Sequence, residues 1–282
     1  MLNMQAWSYS GETGPQHWGR IIPQCASTSQ SPIDIVGRDA VPVELGDLSF
    51  VGCSERELLD SGHNAKLVND GHSIQVRHDG ANCVISGGSL PGGYKVDHFH
   101  LHWGSDSSKG SEHTLDGKEL SAELHIVMHS TEYENQRSAV GKVNGTVIGI
   151  LIEVGQTSNP AYDKFLDYHK DVLYRGDVTN LDHPVPIIDL FPTDKSSYYR
   201  YMGSVTSPPC FENVIWTVLK EPVQLSETQM EKFRILYMSE AGASPLVRMV
   251  DNYRPPQPLN SRTVYRNCGN ETDSAKTTVK LF

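Results

Sequence analysis

Three histidines in one short segment, His98, His100 and His102, alternate with Phe, Leu and Trp. Further along the chain, Glu123 and His125 follow the same alternating pattern. Because alternate side chains of a β-strand lie on one face, the three histidines should face the same way. Neighbouring positions on that face are about 6.5–7 Å apart, so two adjacent imidazoles can reach one ion, whereas His98 and His102 are too far apart to share it. Either pair that binds an ion therefore includes His100.

This arrangement could bind a metal ion. Two imidazoles from one strand and a third, from His125 on a neighbouring strand, would form a three-nitrogen site with an open fourth position, which is the layout of a catalytic zinc. The alternative is a set of half-buried strand histidines that bind nothing. Six of the twelve histidines in the chain lie between His98 and His129, and this clustering favours the metal site.

The motifs around these histidines resemble those of one enzyme family, the α-class carbonic anhydrases of the secreted or extracellular type. The similarity extends from residue 7 to about residue 266. It implies a carbonate dehydratase, a lyase that converts CO2 and water reversibly into bicarbonate and a proton. The motifs are QSPIDI (30–35), NDGH (69–72), HFHLHWG (98–104), GSEHT (110–114), ELH (123–125), GSVTSPPC (203–210) and VDNYRPPQPLN (250–260).

Short β-like runs dominate the hydrophobic pattern, whereas helical patterns are few. Helices are indicated after Asn159-Pro160 and after the capping-box pair Ser226 and Gln229. The sequence therefore predicts a mainly β (α+β) fold, and the resemblance implies a large twisted, mostly antiparallel central sheet with peripheral short helices. Besides the two histidine segments, the predicted strand runs are 43–51, 65–68, 72–77, 83–86 and 147–154.

The composition indicates one domain. No Pro/Gly/Ser linker or repeat divides the 282 residues, and we expect a domain over residues 5–266 followed by a polar tail over 267–282. Residues 7–35, rich in Gly, Pro and Ser, are expected to form an irregular arm. The net charge of −10 argues against nucleic acid or an anionic membrane as partner, while neutral CO2 would be indifferent to it. The most apolar run, 147–154, is too short to span a bilayer.

The resemblance indicates a pairing for two of the five cysteines. Secreted and membrane-anchored family members carry a disulfide at the positions that match Cys25 and Cys210. A second bridge is expected between Cys53 and Cys83. Cys268, in the polar tail, would then be free or intermolecular, which makes an oligomer through it possible.

The remaining signals concern the compartment. Asn144 and Asn270 begin N-x-S/T sequons and are potential glycosylation sites. The first residues lack a basic segment followed by an apolar stretch, so any signal peptide is expected to be absent from this sequence. We expect an extracellular protein.

By the resemblance, the zinc ligands are His100, His102 and His125, and a zinc-bound hydroxide attacks CO2. Thr206 and Glu112 match the pair that orients this hydroxide. An ionised carboxylate only accepts hydrogen bonds, so Thr206 would donate to Glu112 and accept in turn from the nucleophile. The resemblance also implies that anions and sulfonamides inhibit at the zinc.

Further residues are expected to support the ligands. By resemblance, Glu123 accepts from one ligand imidazole, Asn252 offers its backbone carbonyl to another, and His113 is a buried structural histidine. The family often has glutamine at the position of His98, so the support of His100 should differ here. If His102 and His125 are ligands, as the resemblance implies, strand spacing leaves His98 outside the metal shell, where it would accept a hydrogen bond from His100 or from a water between them. The rival arrangement uses His98 and His100 as the strand pair.

Two more groups of residues match the family, one apolar and one polar. His72 matches the proton shuttle, since an imidazole titrates near neutral pH. Tyr9, Asn69 and Gln75 match residues that order the waters leading to it. The residues that match the CO2 pocket are Val127, Val147, Val205, Ser207, Val214 and Trp216.

Two other functions are compatible with the family resemblance. One is a carbonic-anhydrase-like binding module that has lost catalysis, but this chain has all three histidines together with Thr206 and Glu112. The other is an extracellular matrix or mineral-associated protein, but no long acidic or Gly-rich repeat supports it. The sequence therefore favours the active enzyme.

Overall fold

A computed structural model describes residues 7–61, 64–79, 82–133 and 145–267. The helices are α1 (Trp18–Ile21), α2 (Glu55–Asp60), α3 (Pro160–Leu166) and α4 (Glu227–Arg234), and shorter 3₁₀ segments are Gly11–Thr13, Pro15–His17, Pro23–Ala26, His169–Val172 and Ile187–Leu190. The strands are β1 (Asp34–Ile35), β2 (Val41–Val43), β3 (Leu48–Val51), β4 (Asn64–Asn69), β5 (Ile74–Asp79), β6 (Val84–Gly87), β7 (Tyr94–Trp103), β8 (Thr114–Leu115), β9 (Ala122–Ser130), β10 (Gly145–Gly155), β11 (Val178–Asn180), β12 (Tyr198–Ser204), β13 (Glu212–Leu219), β14 (Val223–Ser226) and β15 (Tyr265–Asn267).

One large mixed sheet dominates the fold. Within the described residues its order is β11-β4-β5-β7-β9-β10-β13-β12-β15-β2, with β14 beside β10 and with β6 joining β3 to β7. Antiparallel pairing prevails, but β10 runs parallel to β13 and β14, and β15 runs parallel to β2. The predicted mainly β, single-domain architecture with short peripheral helices is confirmed.

The two faces of this sheet carry separate apolar clusters. On one face, alternate residues of the central strands, such as Phe99, Ile126 and Ile148, pack in a cluster that includes α3 and α4 residues. On the other face, Val147 and Trp216 belong to a smaller cluster. Each central strand is therefore buried on both faces, which explains why β10 reads as a continuous apolar run and not as an alternating pattern.

The helix starts that the sequence predicts are confirmed. The Asn159 side chain accepts from the Ala161 N–H at 3.1 Å ahead of α3. Ser226 and Gln229 form the reciprocal capping box of α4. Helix α2 was not predicted, although Ser54 and Glu57 form another capping box there. The sequence signal was present at α2, but the helix is only 6 residues long.

Three local predictions need correction. The run 43–51 is not one strand, because the chain turns at Gly46, whose φ is +81°, and so separates β2 from β3. His72 lies in the turn before β5 and not in the strand. The arm at 7–35 was expected to be irregular, but it contains α1 and three 3₁₀ segments, and Trp18 of α1 is fully buried.

Both predicted disulfides are present. Cys25 pairs with Cys210 across a Cα–Cα distance of 5.0 Å, and Cys53 pairs with Cys83 at 4.6 Å. The first bridge ties the amino-terminal arm to the loop after β12, where Trp18 packs beside it. Cys268, Asn144 and Asn270 lie outside the described residues. In the part of the chain that is described, no helix is long and apolar enough to cross a membrane.

The two bridges should stabilise the protein unequally. Their sequence separations are 185 and 30 residues. The entropy of loop closure in the unfolded chain predicts that Cys25→Ala with Cys210→Ala lowers the free energy of unfolding by about 5 kcal/mol. For Cys53→Ala with Cys83→Ala the expected loss is about 3.6 kcal/mol. Urea denaturation of both double variants measures the difference, and a larger loss for the shorter loop would contradict it.

Candidate active site

The pairing of β7 with β9 assembles three histidines. His100 lies directly opposite His125 in the register, and His102 lies opposite Glu123. The ring centroids of His100, His102 and His125 are 4.7–5.2 Å apart, and one ligand atom from each lies within 4.8 Å of the others. The sequence left open a ligand pair formed by His98 and His100. Among the described residues, this pair is in neither of the groups of three that could hold a metal ion.

Hydrogen bonds on the outer side fix two of these rings. His102 Nδ1 donates to the Asn252 carbonyl oxygen at 2.7 Å, and His125 Nε2 donates to Glu123 Oε1 at 2.9 Å. Because each acceptor lacks a proton, these nitrogens carry the hydrogen, and the opposite nitrogens keep a free lone pair. His102 Nε2 is buried and has no partner among the described residues. The structure thus places Asn252 beside His102 and Glu123 beside His125.

Burial keeps two of the imidazoles neutral. It lowers the pKa of His100 well below the ordinary value, and the neighbouring histidines lower it further. Burial also lowers the pKa of His102, although the negative charge of Glu112 opposes this effect. A neutral imidazole has the lone pair that a metal needs. The cluster is therefore suited to binding a metal ion and does not readily take up a proton.

Glu123 is the centre of a buried hydrogen-bond network. Its Oε2 accepts from the backbone N–H groups of Glu112 at 2.9 Å and His113 at 2.7 Å. Its Oε1 accepts from His113 Nδ1 at 2.7 Å as well as from His125. Burial alone would raise the pKa of Glu123, but its electrostatic interactions and hydrogen bonds with His113 and His125 bring that pKa well below the ordinary value. Glu123 is thus a fixed carboxylate that orients His125.

A second metal-compatible group, formed by His113, Glu123 and His125, overlaps this network. Both ring nitrogens of His113 are engaged, Nδ1 with Glu123 and Nε2 with the Tyr201 hydroxyl at 2.7 Å. This group is therefore already satisfied by hydrogen bonds, and His113 is structural, as the sequence predicted.

His98 does not support His100 directly. The two rings stack with centroids 5.3 Å apart, and His100 Nδ1 is buried without a partner in the described part of the chain. The predicted direct hydrogen bond is therefore wrong, while the bond through a water remains a prediction. Burial, followed by the charges of Arg77 and His125, lowers the pKa of His98 to about 4.

Glu112 points into the same centre. Its Oε1 accepts from the Arg254 backbone N–H at 2.7 Å. Its Oε2 is buried without a partner among the described residues, 3.5 Å from His102 Nε2 and 3.8 Å from His125 Nδ1. The predicted Thr206–Glu112 hydrogen bond is therefore not formed, because the free oxygen of Glu112 faces the histidine nitrogens. Thr206 nevertheless lines the cavity above this centre.

A cavity of about 210 Å³ opens onto the histidines. One wall is apolar, because the register aligns Val127 with Val147 and Val147 with Trp216 across three neighbouring strands. Val205, Thr206 and Ser207 complete that side. Val214 was predicted in this wall but does not line the cavity; it is 5% exposed and lies in the cluster behind Val147 and Trp216.

The opposite wall is polar. It includes Tyr9, Asp70, His72, Ser73 and Gln75. Burial, together with the charges of Glu112 and Asp70, raises the pKa of Tyr9 well above its ordinary value, so its hydroxyl stays neutral. The polar wall thus offers donors and acceptors along one side of the cavity.

Asn69, predicted to face this cavity, is fully buried and turned away from it. Its side-chain amide donates to the carbonyl oxygens of Val172 and Tyr237 at 3.0 and 3.1 Å, and its oxygen accepts from the Gly71 N–H. The cavity residue is the next one, Asp70, which sequence reasoning missed. The assignment of Asn69 from the family resemblance is wrong at this position, where the strand ends and a turn follows.

His72 stands at the outer part of this wall. Its imidazole stacks on Trp7 with centroids 3.8 Å apart and planes 10° apart, and Tyr9 is 6.3 Å away. Burial and the charge of Arg175 lower its pKa, whereas the charge of Asp70 raises it. His72 is half-buried, so its ring contacts both the cavity and the surface.

The amino-acid sequence matches one protein family over most of its length. Residues 13–268 match the family model of the eukaryotic-type carbonic anhydrases. The chain therefore belongs to the carbonic anhydrase family, and it is an enzyme of the lyase class. The predicted family and enzyme class are confirmed, and the family's reaction is the hydration of CO2 to bicarbonate.

Individual relatives are similar over nearly the whole chain. Human carbonic anhydrase 3 is 36% identical over 262 residues, which cover 92% of this chain and 96% of that protein. Mouse carbonic anhydrase 1 is 35% identical, with coverage of 92% and 97%. Human carbonic anhydrase 7 is 35% identical, with coverage of 94% and 98%.

Replacing Glu123 by Gln should weaken metal binding. The amide has one acceptor oxygen in place of two, so it cannot accept from His125, His113 and both backbone N–H groups together. We expect zinc affinity to fall about 10–100-fold, measured by competition with a chelator. Glu153→Gln, at a site where Glu153 accepts from Gln224 on the protein surface, is the matched control. Equal zinc affinity in Glu123→Gln and the wild type would contradict this role of Glu123.

Proposed function

We propose that this protein catalyses the reversible hydration of CO2 with one zinc ion held by His100, His102 and His125. The observation that carries the proposal is the orientation of the two supported rings. His102 and His125 each use their outer nitrogen for a hydrogen bond to the protein, which leaves His102 Nε2 and His125 Nδ1 free on the inner side. Ring nitrogens that lie within 4.8 Å of one another can converge on one ion, so they suit a small cation.

The donor set fits zinc. Three neutral imidazoles with a cavity on the fourth side are typical of catalytic zinc sites, whereas magnesium and calcium prefer oxygen ligands. The buried His102 Nε2 and Glu112 Oε2, which lack partners in the described chain, are further support. When bound, zinc supplies the positive charge that lowers the pKa of a water molecule and so provides a nucleophile at neutral pH.

Glu112 and Thr206 are assigned to orientation of the nucleophile. Glu112 Oε2 can only accept a hydrogen bond while the carboxylate is ionised. The described residues show no hydrogen bond between Thr206 and this oxygen, so the assignment requires the Thr206 hydroxyl to turn toward Glu112 Oε2 when a nucleophile is bound. Thr206 then accepts from a nucleophile that has a proton to donate. The lone pair that attacks carbon is then directed into the cavity.

The apolar wall is assigned to CO2. The substrate has no charge and no strong donor, so a site cannot hold it by ion pairs. Val127, Val147 and Trp216, aligned across three strands, offer a surface from which water is easily displaced. Anions and sulfonamides would compete by binding the metal from the same side.

His72 is assigned to proton release. The hydration of CO2 leaves a proton that must reach solvent, and an imidazole between cavity and surface can accept and release it near neutral pH. Tyr9 and Gln75 line the cavity between His72 and the histidine centre and would order the waters along this path.

The cysteines support an extracellular location. Two disulfides persist mainly in oxidising compartments. We therefore place the protein outside the cytosol, with glycans at Asn144 and Asn270, which would appear as a mass difference after enzymatic deglycosylation.

The alternatives of a non-catalytic module and of a matrix protein have no specific observation in their favour.

The ligand assignment predicts the zinc content of two variants. His102→Ala and His125→Ala each remove one of three donors, so both should lose zinc and activity, measured by elemental analysis and a CO2-hydration assay. His169→Ala, at a 3₁₀ segment outside the cavity, is the control and should keep one zinc per chain. Full zinc in either ligand variant would exclude the assignment.

The shuttle assignment predicts a dependence on buffer. His72→Ala should lower kcat in weak buffer and leave kcat/KM for CO2 nearly unchanged, because the CO2 step does not involve His72. Small imidazole buffers should restore much of kcat by accepting the proton from solution. A variant whose kcat does not respond to buffer concentration would rule out His72 as shuttle.

A further inference from the structure

Asp70 is an acidic residue in the cavity wall that the proposed reaction does not yet use. Its Oδ1 accepts from the backbone N–H groups of His72 and Ser73, both at 2.8 Å. Its Oδ2 accepts from the side-chain amide of Gln75 at 2.6 Å. The carboxylate is half-buried, and it lines the same cavity as His72. One side chain thus shapes the turn that carries His72 and places a negative charge beside it.

The orientation of Gln75 is set from its other side. Both Nε and Nη2 of Arg77 donate to Gln75 Oε1 at 3.2 Å. Because a guanidinium only donates hydrogen bonds, it pairs with the amide oxygen of Gln75 and not with the amide nitrogen. The Gln75 amide N–H is therefore directed toward Asp70, and Arg77, Gln75 and Asp70 form a chain with a defined polarity.

This chain follows the strand next to the histidines. In the pairing of β5 with β7, Gln75 lies opposite His100 and Arg77 lies opposite His98. The chain therefore runs along β5, beside the histidine strand, to the turn at His72. Its donors and acceptors match at each step, and it ends at the backbone N–H of His72.

The charges around His72 come from several elements. Asp70 belongs to its own turn, and the exposed Arg175 approaches from the segment before β11, where its side chain packs on Gly71. The amino-terminal arm contributes Trp7 and the neutral Tyr9. Asn252, from the segment that supports His102, donates to the His72 carbonyl oxygen at 2.9 Å. Asp70 is the negative group that acts on the imidazole.

We propose that Asp70, oriented by Gln75 and Arg77, is a positioning residue for proton release, which fixes the turn that carries His72 and holds a negative charge beside its imidazole. The inference rests on the proposed shuttle role of His72 and adds the residue that regulates it. A turn alone would not require a carboxylate, because the amide oxygen of an Asn accepts the same two backbone N–H groups. The charge and the second acceptor for Gln75 are what only Asp70 provides.

The test compares Asp70→Asn and Asp70→Ser with the wild type. Both variants keep a side-chain oxygen for the turn and remove the charge. Without that charge His72 binds a proton less readily, so the midpoint of the pH profile of kcat in weak buffer should move to lower pH. The loss of kcat should be smaller than in His72→Ala, and kcat/KM for CO2 should not change.

Two controls separate charge from structure. Asp177→Asn alters another turn, where Asp177 accepts from the Tyr174 N–H at 2.7 Å outside the cavity, and it should leave the profile unchanged. Added salt should reduce the difference between Asp70→Asn and the wild type, because the half-buried charge is partly screened.

The outcomes distinguish this inference from the shuttle assignment itself. If His72→Ala responds to buffer but both Asp70 variants keep the wild-type midpoint, Asp70 is only a turn residue and the inference is overturned. If kcat/KM falls together with kcat in those variants, Asp70 acts on the CO2 step and the inference is also overturned. If His72→Ala does not respond to buffer, the shuttle assignment fails and the inference fails with it.

Discussion

The hydrogen bond from His125 Nε2 to Glu123 Oε1 is the contact on which the centre depends. It decides which nitrogen of His125 is free, and it does so through a carboxylate that also accepts from His113 and from two backbone N–H groups. Desolvating a carboxylate without partners would cost several kcal/mol. Four hydrogen-bond donors offset that cost, and they fix the negative charge of Glu123 beside His125.

The close packing of the sheet makes this contact possible. Gly149 lies opposite His125 in the pairing of β10 with β9. A Cβ added there would meet Glu123 Oε1 at 2.8 Å, so the missing side chain leaves room for the carboxylate. The same strands align Val127, Val147 and Trp216 into the apolar wall. The sheet register therefore places the polar centre and the apolar wall side by side.

Much of this site could be predicted from the sequence where the chain is a regular strand. The period of two placed His100 and His102 on one face of their strand and Glu123 and His125 on one face of the next, and the caps of α3 and α4 were evident from their residue types. The strand pattern failed at His72, which lies in the turn before β5, and the resemblance failed beside it, because Asn69 is buried and Asp70 lines the cavity. Contacts between distant segments, such as the backbone oxygen of Asn252 beside His102, were accessible only through the family resemblance.

The central claim is that one zinc binds to the inner nitrogens of these histidines. Anomalous diffraction at the zinc absorption edge, from crystals of the zinc-loaded protein, tests it most directly. The account predicts a single peak bonded to Nε2 of His102, Nδ1 of His125 and a ring nitrogen of His100, with Glu123 still bonded to His125 Nε2. A peak on His125 Nε2 beside Glu123 and His113, or a peak bonded to His98, would contradict it.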